Sequence, residues 1–132
     1  MRASKFQFSR PRITKLDFEE NPSFQKAGDS IGMPIVVDTA IHRDENGPSA
    51  SVELHLTIGD STEHTPFCIS ILMCAEFRWE EENFSEDDVN NLLNKNAVSL
   101  LIAYSRPMIT MITSQSQYPA YNLPYIDLTE NN

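Results

Sequence analysis

His42 and His55 fall on neighbouring predicted strands with the same side-chain parity, so a paired-imidazole metal site is the first chemistry to weigh. Such a site needs further ligands at matched depth, and no Cys/His cluster supplies them. The plainer reading is two solvated or interface histidines, with His64 in a turn. The acidic run Glu80–Glu82, followed by Glu86–Asp88, is the second candidate. It lacks the calcium-loop pattern of alternating oxygen ligands about a central glycine. A solvated loop, then acids at the positive end of a helix, accounts for it. Nucleophilic catalysis has little to build on. There is no G-x-S-x-G and no glycine-rich phosphate loop, with four glycines in all. Ser105, beside Arg106 and Pro107, has no histidine in sequence range. The residues predict no catalytic site, no metal and no cofactor, and so a protein that is not an enzyme.

Cys68 and Cys74 lie six apart in one predicted strand. At about 3.3 Å per residue their Cα atoms would sit roughly 20 Å apart, beyond disulfide reach. Both are expected to be ordinary thiols in a reducing compartment. A more promising group is aromatic. Tyr118, Tyr121, Leu123, Pro124 and Tyr125 lie within eight residues, preceded by Met108 and Met111. Aromatics and flexible methionines suit surfaces that accept varied apolar partners. The alternative is that they pack on the sheet as core.

The chain that must position these groups has 132 residues, the length of one domain, taken here as residues 1–132. Its net charge of -9 argues against sequence-independent nucleic-acid binding and against anionic membranes. No run approaches the roughly 20 apolar residues of a membrane span. Met1 to Arg12 is polar and basic, without the apolar centre of a secretory signal, so a cytoplasmic protein is expected.

Lys5 to Glu19 reads as a first strand, with Phe6, Phe8, Leu16 and Phe18 on one parity and Pro11 confined to an edge or bulge. Asn21 to Met33 reads as a loop. Pro34 to Arg43 is a second strand, and Asp44 to Pro48 a hairpin turn. Ser51 to Ile58 and Pro66 to Trp79 follow as alternating strands. The last has a mixed outer face (Cys68, Ser70, Leu72, Cys74, Glu76, Arg78), which hints at partial cover by another chain.

Ser85 looks like an N-cap. Asn94-Lys95-Asn96 is expected to interrupt the apolar stripe that Val89, Leu92 and Leu93 begin. The main helix then runs from Ala97 to about Gln115. Its expected stripe is Ala97, Leu100, Leu101, Tyr104, Met108, Met111 and Ile112, with a bend at Pro107. The fold class is α+β: a four-stranded antiparallel sheet followed by a long kinked helix packed on one face.

The stretch AYSRPMITMITSQSQYPAYNLPYIDL resembles the C-terminal signature of SecB, the bacterial export chaperone. The matching residues are Tyr104, Arg106, Ile109, Tyr118-Pro119 and Leu123-Pro124-Tyr125-Ile126. The first strand resembles that family's opening strand through Phe6, Gln7, Arg10, Lys15, Phe18 and Glu19. The resemblance spans nearly the whole chain. It implies an ATP-independent cytoplasmic holdase, a homo-dimer or homo-tetramer, that binds unfolded or partly folded polypeptides in grooves between helix and sheet.

Some relatives serve export through the translocation ATPase; others guard antitoxins. The groove residues it implies here are Leu16, Phe18, Met108, Met111, Tyr118, Tyr121, Leu123 and Tyr125, with Glu19 as a docking residue for the ATPase. Lys15 and Ser70 stand where that family has other docking residues, which counts against the ATPase. The chain stops at Asn132, so the family's last helix is expected to be missing. A module with one dedicated partner is the alternative function. A hot-dog enzyme is disfavoured because its long helix comes early, whereas here all strands precede it.

Overall fold

Alternation of apolar and polar residues builds most of the sheet. The computed structural model describes residues 2–25 and 32–128. In it β1 (Phe6–Phe8), β2 (Arg12–Glu20), β3 (Ile35–Arg43), β4 (Ser49–Gly59) and β5 (Phe67–Trp79) pair antiparallel. The order across the sheet is β1, β5, β4, β3, with β2 continuing the β1 edge along β5. Val52, Leu54, Leu56 and Ile58 on β4, with Ile69, Ile71 and Phe77 on β5, are almost wholly removed from solvent. Each such side chain contributes about 1.5–3 kcal/mol. Gly59 ends β4 at φ +78°, where a Cβ would meet the Phe67 carbonyl oxygen at 2.1 Å; only glycine closes this turn.

The expected first strand is two strands, broken at Pro11, whose ring offers no ladder donor. The pairing slips by one residue between Phe8↔Phe77 and Arg12↔Cys74, and again between Ile13 and Lys15. Those two slips leave Phe6, Phe8, Leu16 and Phe18 on the core side, as their parity suggested. They also bring Ile13 to that side, opposite Met73, against simple alternation. The expected loop from Asn21 to Met33 lies partly outside the described residues.

The helix corrects the sequence reading twice. Asn94-Lys95-Asn96 does not break it: α1 (Glu86–Asn91) continues through a π-helical turn (Leu92–Asn96) into α2 (Ala97–Thr113). Those three residues are exposed, whereas Leu93 and Ala97 beside them are buried, so packing overrides turn propensity. The Asn94 side chain donates back to the Asn90 carbonyl at 2.7 Å, which satisfies it inside the helix. Ser85 caps α1 in a full capping box with Asp88. Pro107 lies within α2, which continues to Thr113 and not to Gln115.

The buried stripe is also rotated from the expected one. It runs Ala97, Val98, Leu101, Ile102, Ser105, Ile109 and Thr113; Tyr104 and Met111 are exposed, and Leu100, Met108 and Ile112 are half-buried. Ser105 and Thr113 misled the reading because they are polar. Their hydroxyls bond the carbonyls of Ile102 (2.7 Å) and Ile109 (2.8 Å), so each is buried without an unmet donor. The helix lies on β4 and β5, and its two flanks face opposite edges of the sheet.

Candidate polypeptide-binding surface

The two flanks of α2 carry different chemistry at the same spacing. Tyr104, Met108 and Met111 stand at i, i+4 and i+7 on one flank. Phe8 meets Tyr104 edge-on at 6.2 Å, which sets this flank toward the β1–β2 edge. There Phe8, Leu16, Tyr104 and Met111 are 39%, 40%, 44% and 53% exposed. Four large apolar side chains open to solvent around one helix flank are more than scattered surface residues.

On the other flank Arg106, Thr110 and Thr113, again i, i+4 and i+7, hold the chain's own return segment. The Arg106 guanidinium donates to the carbonyls of Leu123 and, at 3.1 Å, Pro124. The Thr110 hydroxyl donates to the Asn122 side-chain oxygen at 3.2 Å, and the Tyr121 N–H donates to Thr113 Oγ1 at 2.8 Å. Leu123 is thereby buried, while Tyr121, Ile126 and Leu128 pack part-way onto the core. Burial pushes the Tyr121 phenol above its ordinary pKa, so it stays a neutral hydroxyl.

The segment begins with a recess. Met33, Pro66, Phe67, Tyr118, Pro119, Ala120 and Tyr121 line a space of about 220 Å³ that is largely apolar. Phe18 and Tyr121 flank Phe67 with ring centroids 5.7 and 6.2 Å away, and Phe24 packs edge-on against Tyr118 at 5.5 Å. The volume falls below the roughly 300–1,000 Å³ of small-molecule sites. It suits one large side chain of a longer ligand. The Gln117 N–H donates to Glu20 Oε1 at 2.8 Å and ties this end to β2.

The eight expected groove residues thus fall into three places. Leu16, Met108 and Met111 lie along the open flank; Phe18, Tyr118 and Tyr121 surround or support the recess; Leu123 is core and Tyr125 is 87% exposed. Glu19 sits on the outer sheet face opposite Cys68. Burial, then the nearby Asp60 and Glu19 charges, pushes the Cys68 thiol above its ordinary pKa. Sequence reasoning missed Phe8, Phe24 and Phe67, whose roles depend on strand pairing. It also missed Thr110 and Thr113, although with Arg106 they form a polar line inside an apolar helix. Both cysteines are free. Among the described residues no three His, Cys, Asp or Glu side chains form a metal-binding group. His55 instead meets Ser70, Nε2 to Oγ, at 2.7 Å on the outer face.

This is an antiparallel sheet followed by one long helix, the arrangement of a SecB-like fold. The SecB-like chaperone of Mycobacterium tuberculosis, solved with a ChAD peptide from the HigA1 antitoxin, superposes with a TM-score of 0.73. The alignment covers 92% of this chain and 90% of that one at 12% identity. A protein of unknown function from Streptococcus agalactiae aligns over 94% of this chain and 100% of its own at TM-score 0.52 and 16% identity. No protein-family model matches the sequence, and no curated protein matches it significantly. The chain has the SecB-like fold. Among the described residues no helix is long and apolar enough to cross a membrane.

Proposed function

We propose that this chain is an ATP-independent, SecB-like holdase that binds unfolded or partly folded polypeptide along α2. The observation that carries the reading is the exposed apolar flank of Phe8, Leu16, Tyr104 and Met111, on a fold shared with a SecB-like chaperone. The recess beside Tyr118 adds a pocket for an aromatic side chain of the client. Binding comes from burying client apolar surface, at about 25 cal/mol per Å². The activity is not enzymatic, is cytoplasmic, and belongs to a homo-dimer or homo-tetramer. Lys15 pairs with Asp17 at 3.7 Å on the outer face, so a cation stands where the resemblance implies an acid for the translocation ATPase. An export role is therefore not part of the proposal.

A second reading is favoured by the antitoxin peptide bound to the similar chaperone. In it the same surface serves one dedicated protein partner. Light scattering by an aggregating unfolded client separates the two. A holdase at about one chain per client suppresses aggregation of several unrelated clients, and Met111→Asp with Tyr104→Asp abolishes the effect while the circular dichroism is unchanged. Clients that aggregate at the same rate with and without excess protein would sink the holdase reading and leave the dedicated module.

A further inference from the structure

We propose that residues 121–128 are a releasable strap. They occupy a peptide site on α2, and a second extended, apolar polypeptide containing proline and aromatic residues displaces them. Among the described residues, none from Gln117 to Ile126 makes a backbone-to-backbone hydrogen bond. The strap's main chain from Tyr121 to Pro124 is gripped by Arg106, Thr110 and Thr113 of α2, while Tyr121, Leu123, Ile126 and Leu128 rest on the core. Apart from the Asn122 amide, the groups they hold are main-chain carbonyls and one main-chain N–H. Every polypeptide carries those groups, so the same three side chains hold a foreign chain as readily as this one.

Along its last residues the strap borders open space on both sides. A groove of about 590 Å³ separates it from Ile35, Val37 and Thr39 of β3, and one of about 330 Å³ separates it from Ser99 and Ala103 of α2. Leu123 is its one buried side chain, and the ring of Tyr125 is almost fully in solvent. Segments with a single fully buried side chain and no ladder bonds from Gln117 to Ile126 open at lower free energy than sheet strands. The outer edge of β3 gives no backbone support to it either, since β3 pairs with β4 alone. A chain that holds its own sequence this way has a built-in competitor for that site, which lowers the apparent affinity of any polypeptide binding there until the strap leaves.

The inference rests on the polypeptide-binding reading only for the nature of the displacing chain. A labelled peptide with the sequence of residues 118–128, YPAYNLPYIDL, is titrated into the full chain. Peptide anisotropy and hydrogen exchange at the Tyr121 amide are read together. Saturable binding, with the Tyr121 amide losing protection in step with occupancy, is the expected result. Leu123→Ala, which removes the anchor and keeps the three gripping residues, should bind the peptide about tenfold more tightly. Thr113→Val, which removes the hydroxyl at constant volume, loosens strap and peptide alike, so peptide affinity should stay within about twofold while the Tyr121 amide exchanges about fivefold faster before any peptide is added.

A Tyr121 amide that stays protected at saturating peptide would overturn the strap, and that measurement needs only the unaltered chain should Leu123→Ala fail to fold. A folded Leu123→Ala chain with no gain in affinity overturns it as well. Suppressed client aggregation with an unmoved Tyr121 amide leaves the holdase standing without the strap. Strap exchange without suppression does the reverse.

Discussion

Asn21 shows how much one side chain settles. It is buried just after β2, and its amide nitrogen lies 2.9, 2.9 and 2.7 Å from the carbonyl oxygens of Asp60, Thr62 and Thr65. Two N–H groups shared among three carbonyls lock the end of β2 to the β4–β5 turn. The turn is tightened by Asp60 Oδ1, which accepts from the Thr62 N–H at 2.9 Å. Asn21→Asp sets a carboxylate against those carbonyls and should cost about 2–4 kcal/mol. Urea unfolding checks this, and an unchanged midpoint would mean the turn holds without the amide. In sequence Asn21 reads only as loop; its role depends on a turn some forty residues away. Ser105 and Thr113 were hidden for a related reason. Whether a hydroxyl is buried depends on which face the packing selects, and backbone acceptors within the helix make either choice tolerable.

The helix shows local propensity meeting tertiary packing. Ser85 and the acids after it were readable as a start because capping depends on near neighbours. The Asn-rich stretch was not readable as helix, because burial of Leu93 and Ala97 on the sheet decides it. The π-helical turn there accommodates the change of phase between Val89-Leu93 and Val98-Ile102. Pro107 is exposed within α2 and leaves the Ala103 carbonyl without its helical donor. Pro107→Ala restores that bond and should raise stability by about 1–3 kcal/mol, read as a higher urea midpoint. A lower midpoint would show that the break in the ladder is needed for α2 to seat on β4 and β5.

Across the molecule, the hairpin and the helix start are joined through Arg43. Its guanidinium lies 5.5 Å from the Trp79 ring centre and donates to Glu86 at 2.8 Å. The hydrogen bond, then the charge, of Arg43 lowers the Glu86 pKa; bonds from Thr62 chiefly lower that of Asp60. A depressed carboxylate pKa adds stability above its unfolded value, and that stability is lost as pH falls through the folded value. The stability gap between the parent chain and Glu86→Gln should therefore be constant from neutral pH down to the ordinary carboxylate range, and shrink below it. Urea midpoints across that range check the sign. A gap that persists in strong acid would mean Glu86 acts through packing and not charge. The Glu86 carboxylate is solvent-exposed, so the effect is small and weakens with salt.

Strand alternation, turn chemistry and the capping signal follow from near neighbours, so the α+β class, three of the four long strands and the helix start could be read from the chain alone. The aromatic-proline stretch, with the first-strand residues, carried the resemblance that the fold bears out. Register, the rotation of the helix and the fate of the return segment depend on contacts between residues far apart, which no local pattern encodes. Folding alone divided the expected groove residues, placing Leu16, Met108 and Met111 on an open flank and Leu123 in the core. It also turned Arg106, Thr110 and Thr113 into a grip on the chain's own end, because helical spacing aligns them and only packing says what they face.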